Sequence, residues 1–308
     1  MLANFGRLRR RPGSCGDAAM SRPPGPFWRH VVACNRLPDE GRLVAFRIGG
    51  QRVGWLLPEA LRVLTFFPQH VHFDGSGAAL AGRLRSPPAR SRALAELGAA
   101  LVRAGLAARL RGELFDVRAV PGGPVLAELD RGLVPAFGVR AEGVHVNGLV
   151  RRADGLHLWV ARRARDKAVA PGKLDHMVAG AIPAALGPEA TLVKEAAEEA
   201  AVPPELAARA RRVATIAYAM QVEDGLRVDL LHCFDLDLPA GFVPRPADGE
   251  VEGFALMPIA EVLGLVRDTD DFKFNVNLVL IDLFLRERLI DPEGAEGRRL
   301  RTALAAPG

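Results

Sequence analysis

The stretch Asp175–Val202, DHMVAGAIPAALGPEATLVKEAAEEAAV, decides how the rest of the sequence is interpreted. Its first part is typical of the end of a strand followed by a loop that contains a glycine. A helix is expected to begin near Gly187, because Pro188 at the first helical position loses no hydrogen bond. The helix is expected to end before Pro203, since proline disfavours the helical conformation of the residue that precedes it.

Three glutamates are expected on one face of this helix. Glu195, Glu198 and Glu199 stand at positions i, i+3 and i+4, which lie on the same side of a helix. Like charges at these spacings destabilise a helix by about 0.2–0.5 kcal/mol per pair, and Lys194 is the one neighbour that could offset them. Mg²⁺ takes oxygen ligands and commonly bridges carboxylates to substrate phosphates, so these residues could hold it. On helix spacing alone, an alanine-rich helix with ordinary surface glutamates is the better explanation.

The order of residues in this stretch resembles the Nudix box, the signature of Nudix hydrolases. The first glycine of the box, its arginine, the glutamate that follows and the glutamate pair correspond to Gly180, Lys194, Glu195, Glu198 and Glu199. The resemblance implies an α/β fold, a Nudix α/β/α sandwich with a mixed sheet. It also implies that Mg²⁺, or Mn²⁺ in its place, is bound by Gly180, Glu195, Glu198 and Glu199.

Three positions depart from the box. Leu186 occupies the place of a glutamate that normally braces the loop, Ala196 that of a larger aliphatic residue, and Ala201 that of the last glycine. The Glu-x-x-Glu-Glu core, which binds metal in the family, is intact. The departures therefore concern the efficiency of the site more than its ability to bind metal.

Length and composition indicate a globular protein with two domains. The chain has 308 residues, of which 49% are hydrophobic and 25% are charged. No apolar run reaches the ~18 residues of a membrane span, so no membrane association is expected. The three cysteines, Cys15, Cys34 and Cys233, are far apart and fit a reducing cytosol better than a disulfide framework. A cytoplasmic protein is therefore expected.

Most of the net positive charge lies at the start of the chain. Residues 1–26 carry +4 of the formal net charge of +5, which leaves +1 for all other residues. The basic character is thus no argument for a nucleic-acid partner. Residues 1–26 are rich in Arg, Gly and Pro and are predicted to be a disordered tail, with Met20 as a possible true start. A transit-type peptide is the alternative.

Folded sequence is predicted to begin near Phe27. It should comprise a small N-terminal α+β domain, the Nudix domain and a C-terminal tail, over residues 27–134, 135–292 and 293–308. The segment from Cys34 to Glu59 is similar to the domain that precedes the Nudix domain in thiamine-linked Nudix proteins. That branch includes the Nudix half of fungal thiamine pyrophosphokinases and a hydrolase that acts on oxidised thiamine diphosphate.

Turn signals between apolar runs predict three pairs of strands. The first is a hairpin around Gly49-Gly50, the second turns at Asp154-Gly155, and the third turns at residues 223–225. In the second pair, His145 and Asn147 alternate with valines, a pattern that predicts a sheet with one buried face.

A basic loop leads into the Nudix box. The run from Trp159 to Asp175 resembles the thiamine-linked branch closely and is its most specific motif in this chain. Arginine and lysine pair well with phosphate oxygens, so Arg162, Lys167 and Lys173 are the candidates for phosphate contacts. A solvated charge cluster on a loop is the alternative.

Further candidates lie after the box. Glu250 and Glu252 alternate with Val251, so both carboxylates are expected on one face of a strand. The resemblance implies another acidic ligand or base near this place, which adds both residues to the catalytic candidates Glu195, Glu198 and Glu199; a polar strand face is the alternative. Polar side chains that could contact a substrate are Tyr218, Gln221, Lys273 and Asn275. An ordinary sheet residue explains Tyr218 equally well, and helix capping explains Asn275 equally well.

The resemblance implies Mg²⁺-dependent hydrolysis of a diphosphate linkage in a small molecule. The expected substrate is thiamine diphosphate or one of its oxidised derivatives, cut to the monophosphate and phosphate, which would be a form of metabolite damage repair. The alternatives are a Nudix hydrolase of another nucleoside diphosphate-linked substrate and a non-catalytic Nudix-like ligand-binding module. The chain is expected to act as a monomer or a homodimer.

Overall fold

A computed structural model describes residues 25–39, 42–75, 77–167, 169–247 and 249–305. The predicted disordered tail over residues 1–26 lies almost entirely outside these ranges. Within them, no helix combines the length and the apolarity that a membrane crossing requires.

The first domain is built on a four-stranded sheet. Its strands, in the spatial order β2-β1-β4-β3, are β1 (Val44–Ile48), β2 (Gln51–Leu56), β3 (Val71–Asp74) and β4 (Gly77–Leu80). Gly49 and Gly50 have φ values of 59° and 80°, which suit glycine, and form the predicted hairpin turn between β1 and β2. Helices α2 (Pro58–Leu64) and α3 (Pro87–Arg103) contribute apolar side chains to the same core as this sheet.

A two-stranded hairpin completes the first domain. It consists of β5 (Leu114–Val117) and β6 (Ala127–Asp130), which pair antiparallel. Phe115 and Val117 of β5 are buried in the core of the first domain. The short helix α4 (Val134–Phe137) then leads into the second domain.

The second domain contains a seven-stranded sheet. Its strands are β7 (Arg140–Arg152), β8 (Gly155–Arg163), β9 (Leu174–His176), β10 (Val178–Ala181), β11 (Arg211–Val222), β12 (Gly225–Asp237) and β13 (Val251–Pro258). The main path runs β11-β12-β7-β8-β13. β7 and β12 are parallel whereas the other pairs are antiparallel, so the sheet is mixed, as predicted.

Strands β7 and β8 pair only over their connected ends, from Gly148 opposite Trp159 to Arg152 opposite Gly155. Farther along, β10 pairs with β7 and β9 pairs with β8. Six of the first seven residues of the stretch Asp175–Val202, all except Met177, therefore lie in strands of the sheet, at the place where β7 and β8 separate.

Helices cover both faces of this sheet. The core on one face includes side chains of α5 (Pro188–Ala200) and α6 (Pro204–Ala207). The core on the other face includes side chains of α1 (Trp28–Cys34), α7 (Ile259–Asp268), α8 (Val276–Arg286) and α9 (Ala295–Leu304). The arrangement is an α/β/α sandwich next to an α+β domain, which confirms the predicted fold class.

Helix α5 begins and ends as the sequence predicts. Pro188 occupies its first turn after Gly187, and Ala201 at its end has a left-handed backbone with φ of 51°. This conformation costs a residue other than glycine about 1–2 kcal/mol. Ala201, which stands where the Nudix box has its last glycine, thus keeps the left-handed backbone that glycine usually adopts.

Three sequence predictions need correction. Ala295–Leu304 form a helix with Leu300 and Leu304 buried, so the predicted C-terminal tail is wrong there. Leu300 and Leu304 are one turn apart on a helix that is otherwise mostly polar, and two residues are too few to show the apolar periodicity that predicts a helix. The predicted domain boundaries place α1 in the first domain, yet its side chains pack in the core of the second. His145 and Asn147 are buried because both sheet faces are covered.

Candidate active site

The three glutamates of α5 that belong to the Glu-x-x-Glu-Glu core range from buried to exposed across the helix face. Glu199 is 6% exposed, Glu195 is half-buried, and Glu198 is exposed. The Glu199 carboxylate accepts a hydrogen bond from the Ala179 N–H, with an N–O distance of 2.9 Å. This bond connects α5 to β10 and fixes the buried carboxylate beside the strand that carries Gly180.

Gly180 lies directly against Glu195. A Cβ atom on Gly180 would stand 2.4 Å from both Cγ and Cδ of Glu195 and 2.6 Å from its Oε2. These distances are far below the van der Waals contact of about 3.5–4.0 Å, so no other residue fits without moving the glutamate. A glycine is thus required at position 180, because Glu195 packs directly against it.

Lys194 neutralises part of the acidic helix face. Its Nζ lies 3.0 Å from Oε1 of Glu195 and 2.6 Å from Oε2 of Glu198. Burial nevertheless raises the pKa of Glu195, and although Lys194 opposes this, the charges of Glu198 and Glu250 raise the pKa further. Lys194 therefore compensates the repulsion among these acids only in part.

Glu199 has the more strongly perturbed carboxylate. Burial raises its pKa well above the ordinary value of 4.5, and the nearby charges of Asp175, Glu195 and Glu250 add to the rise. The hydrogen bond from the Ala179 N–H acts in the opposite direction. These carboxylates lie close together, and their mutual repulsion disfavours the ionised forms when no cation is present. With the backbone of Gly180, which carries no side chain, they supply the oxygen ligands that Mg²⁺ prefers. The residues present thus fit the metal that the Nudix box implies.

Glu250 and Glu252 have different partners. Lys167 Nζ lies 2.5 Å from Oε2 of Glu250, whereas Glu252 pairs with Arg165 at 3.7 Å. The pairing of β13 with β8 also shifts its register between Val251 and Gly253, which makes Glu252 part of a β-bulge. Glu250 is the one of the two whose charge raises the pKa of Glu195 and Glu199.

The predicted phosphate-binding residues all have protein partners. Arg162 donates to the Gly172 carbonyl at 3.1 Å, and Lys173 donates to the Asp270 carbonyl at 2.7 Å. Lys167 is the candidate whose partner, Glu250, belongs to the acidic cluster. Of the three, Lys167 is therefore best placed beside the α5 glutamates.

A buried charge cluster next to the site involves residues that sequence reasoning missed. Asp175 is 4% exposed and pairs with Arg163 at 2.7 Å and with Lys273 at 3.5 Å. Nδ1 of His145 lies 3.0 Å from Nδ1 of His176 beside it. Burial favours the neutral form of both rings and lowers the pKa of His145 well below 6.5 and that of His176 to about 4. Lys273, a predicted substrate contact, is thus part of this cluster.

Donor atoms of His145, Asp175 and His176 lie within 4.8 Å of one another, close enough to share a metal ion. Asp175 is already neutralised by Arg163 and Lys273, however, and a second cationic centre there would be repelled by both. The buried Glu199 of α5, in comparison, accepts a hydrogen bond from a neutral backbone N–H, and Lys194 pairs with the less buried Glu195 and Glu198. The glutamates of α5 are therefore the better candidates for Mg²⁺.

Replacing Asp175 by Asn is expected to lower the free energy of unfolding by about 3–5 kcal/mol at pH 7, because two half-buried cations lose their buried counter-ion. Burial alone would raise the pKa of Asp175, but Lys273, the two histidines and Arg163 together lower it to about 2. The stabilisation is thus present above pH 3.8, the ordinary value, and is lost as the pH falls towards 2.

Urea unfolding of both proteins from pH 7 downwards would measure this difference. The exposed Asp166, on the basic loop, offers a matched control, and Asp166→Asn is expected to change stability by less than about 0.5 kcal/mol. Equal stabilities of wild type and Asp175→Asn at pH 7 would contradict the assignment.

Tyr218 and Asn275 lie on the sheet face opposite α5. Tyr218 is 2% exposed, donates a hydrogen bond to Asp229, and accepts one from Asn275 Nδ2 at 3.4 Å. Its ring meets the ring of Phe274 edge to face at 5.9 Å. Gln221 is exposed near the end of β11, where its N–H donates to the Arg36 carbonyl at 2.8 Å. The structure thus brings Tyr218 and Asn275 together, but away from the α5 glutamates.

Comparisons with known proteins agree with this geometry. The NUDIX domain family matches residues 141–277, and a domain of unknown function, DUF4743, matches residues 26–141. Nudix hydrolase 20, a chloroplastic protein of Arabidopsis thaliana, is 35% identical over 87% of this chain and 75% of its own length. Nudix hydrolase 24, also chloroplastic and from Arabidopsis thaliana, is 37% identical over 87% of this chain and 74% of its own length.

Among solved structures, a MutT protein from Methanosarcina mazei is similar with a TM-score of 0.37 and 14% identity, over 48% of this chain and 95% of that chain. The two plant relatives are similar enough, over enough of their length, to establish the family. With its acidic helix, its glycine loop and these relatives, the chain belongs to the Nudix hydrolases, enzymes that act on diphosphate bonds.

Proposed function

We propose that the protein is a Mg²⁺-dependent diphosphatase whose substrate is thiamine diphosphate or an oxidised derivative of it. Dependence on Mg²⁺ is supported by the contact of Gly180 with Glu195, next to the buried carboxylate of Glu199. The substrate follows from the similarity of residues 34–59 and 159–175 to the thiamine-linked Nudix branch. A small organic diphosphate is the partner, and a role in removing damaged thiamine diphosphate is consistent with it.

Glu195, Glu198 and Glu199, together with the backbone at Gly180, would hold the metal. When bound, Mg²⁺ neutralises diphosphate oxygens and lowers the pKa of a coordinated water. The chain contributes an anchored carboxylate at Glu199, which the Ala179 N–H holds in place. Lys167, beside Glu250, adds positive charge for the phosphate oxygens as negative charge develops on them.

The proton of the attacking water must pass to a carboxylate. Glu195 is the first candidate for this general base, because it contacts Gly180 within the acidic cluster. The water oxygen forms the new bond to phosphorus, and the bridging P–O bond breaks. The products are the monophosphate ester and inorganic phosphate, and Glu250 is the second candidate for the proton.

Chromatography of the products from a panel of diphosphates, with and without Mg²⁺, tests the proposal. We expect hydrolysis of thiamine diphosphate and its oxo and oxy derivatives to the monophosphate and phosphate, at higher kcat/KM than hydrolysis of ADP-ribose or a dinucleoside polyphosphate to mononucleotide products, and none with EDTA. Faster hydrolysis of the nucleotide compounds would replace the thiamine assignment with a nucleoside diphosphate-linked substrate. Binding of thiamine diphosphate without turnover of any compound would indicate a ligand-binding module.

A further inference from the structure

The loop between β10 and α5 forms a tight turn. Leu186 N–H donates to the Pro183 carbonyl at 3.3 Å, and Ala185 between them has a left-handed backbone with φ of 67°. Ala184 does not have a positive φ, so the turn over Pro183–Leu186 is of type II. This turn connects Gly180, which contacts Glu195, to the first residues of the helix that carries the acids.

The first domain supplies two hydrogen-bond acceptors to this turn. The Leu114 carbonyl accepts from Ala184 N–H at 2.7 Å, and the Asp116 carboxylate accepts from Ala185 N–H at 3.4 Å. Arg118 holds Asp116 through an ion pair of 2.8 Å, and the Asp116 side chain is only 13% exposed. Both acceptors belong to β5, which the buried side chains of Phe115 and Val117 anchor in the core of the first domain.

We infer that strand β5 is a positioning element of the active site, and that Asp116 is a positioning residue for the metal-binding loop. Within the second domain the Ile182 N–H bonds to the Glu142 carbonyl at 2.9 Å, just before the turn. The next two amides, those of Ala184 and Ala185, depend on the first domain. The inference rests on the proposed function, and it assigns the first domain a part in building the site.

The contact at Gly180 explains why this positioning matters. Glu195 is packed so closely on the glycine that even a methyl group between them is excluded. The turn is the covalent connection between β10, which carries Gly180, and the start of α5, which carries Glu195. Release of its two hydrogen bonds would therefore let the two elements shift relative to each other and change the separation of Gly180 and Glu195. The first domain therefore acts on metal binding through the loop, without a side chain that touches the metal.

Two substitutions remove the two hydrogen bonds separately. Ala184→Pro deletes the donor to Leu114, yet proline is favoured at the second position of a type II turn, so the turn itself is kept. Asp116→Ala deletes the acceptor for Ala185. Asp116→Asn keeps an oxygen acceptor in the same place and is the conservative variant that should rescue the loss.

For Ala184→Pro and Asp116→Ala, we expect about a tenfold rise in the Mg²⁺ concentration that gives half-maximal rate, the size typical of groups that orient metal ligands. Hydrogen exchange of the amides in residues 181–187 should accelerate by a similar factor. KM for the diphosphate at saturating Mg²⁺ should change less. Asp116→Asn should behave like the wild type in both measurements.

Ser86→Ala is the matched control. Ser86 caps helix α3 of the first domain, where its hydroxyl oxygen accepts the Ala89 N–H at 3.4 Å, and it lies outside both β5 and β6. Its loss should lower Tm and leave the Mg²⁺ dependence and the loop exchange unchanged. Equal effects of Ser86→Ala and Asp116→Ala on the Mg²⁺ dependence would show a general effect of domain stability and overturn the inference.

The inference would also be overturned if Ala184→Pro and Asp116→Ala both showed the Mg²⁺ dependence and the loop hydrogen exchange of the wild type. If the wild-type protein hydrolyses no diphosphate, the proposed function fails instead. Loop exchange and direct titration with Mn²⁺, followed by its electron paramagnetic resonance signal, then decide the inference without turnover.

Discussion

Replacing Glu199 by Gln is expected to lower kcat by about 10³-fold and, without metal, to make the protein more stable. A metal ligand contributes several kcal/mol to the stabilisation of transition-state charge, and each 1.36 kcal/mol is a factor of ten in rate. Without metal, the ionised Glu199 carboxylate is buried beside other acids, and the neutral glutamine avoids the free-energy cost of burying that charge. The amide oxygen of glutamine can still accept the hydrogen bond from Ala179.

The pH dependence of stability gives this prediction a second readout. Because burial raises the pKa of Glu199 above 4.5, the metal-free wild type should lose stability as the pH rises from 4.5 through the raised value. Glu199→Gln should lack that loss, and the two proteins should be equally stable below pH 4.5. Saturating Mg²⁺ should reverse the order at pH 7, because only the wild type binds it tightly.

Glu198→Gln is the matched control for stability, since the same charge is removed from an exposed side chain. We expect a large loss of turnover there as well, with a change of less than about 0.5 kcal/mol in the metal-free free energy of unfolding. Urea unfolding with EDTA and with Mg²⁺ measures both variants. A metal-free Glu199→Gln protein that is less stable than the wild type at pH 7 would contradict the account.

Gly180→Ala is expected to lower kcat by about 10²-fold while the fold is retained. The added methyl group would stand 2.4 Å from the Glu195 side chain, which must swing away from its position beside β10. Misplacement of a catalytic group by about 1 Å can cost a factor of this size. The half-maximal Mg²⁺ concentration should rise in the same variant.

Gly253 is the matched glycine, because it lies in β13 of the same sheet and a Cβ atom there would meet no atom within 4 Å. Gly253→Ala should therefore retain wild-type turnover. Circular dichroism and Tm report whether each variant folds. Wild-type activity of Gly180→Ala would remove the glycine–glutamate contact from the mechanism.

Local signals in the sequence predict the structural features that depend on residues close together in the chain. Pro188 and Pro203 mark the limits within which α5 forms, and the turn at Gly49-Gly50 identifies the first hairpin. Helix periodicity put the three glutamates on one face, whereas the resemblance to the Nudix box added Gly180, which contacts Glu195 in the structure. The helix limits, the hairpin and the shared helix face depend on backbone preferences and on helix periodicity, which a single sequence shows directly.

Features that depend on packing between distant segments were not visible. Asp175 and Lys273 are 98 residues apart, and neither residue type predicts that it meets the other in a buried pair. The burial of His145 depends on helices that cover both sheet faces. The bulge that includes Glu252 depends on how β13 pairs with β8. The sequence alone therefore lists candidate acids and cations without showing which of them pair.

The packing of α1 has a consequence for the order of the two domains along the chain. Phe27, Val31 and Cys34 belong to the same core as α8, and the N–H of Gln221 in β11 bonds to the Arg36 carbonyl. The catalytic domain is therefore discontinuous, and the α+β domain is an insertion between its first helix and its first strand. Truncation from the amino terminus would remove part of the catalytic core, so an isolated catalytic unit requires excision of the insert and a new link between the two flanking ends.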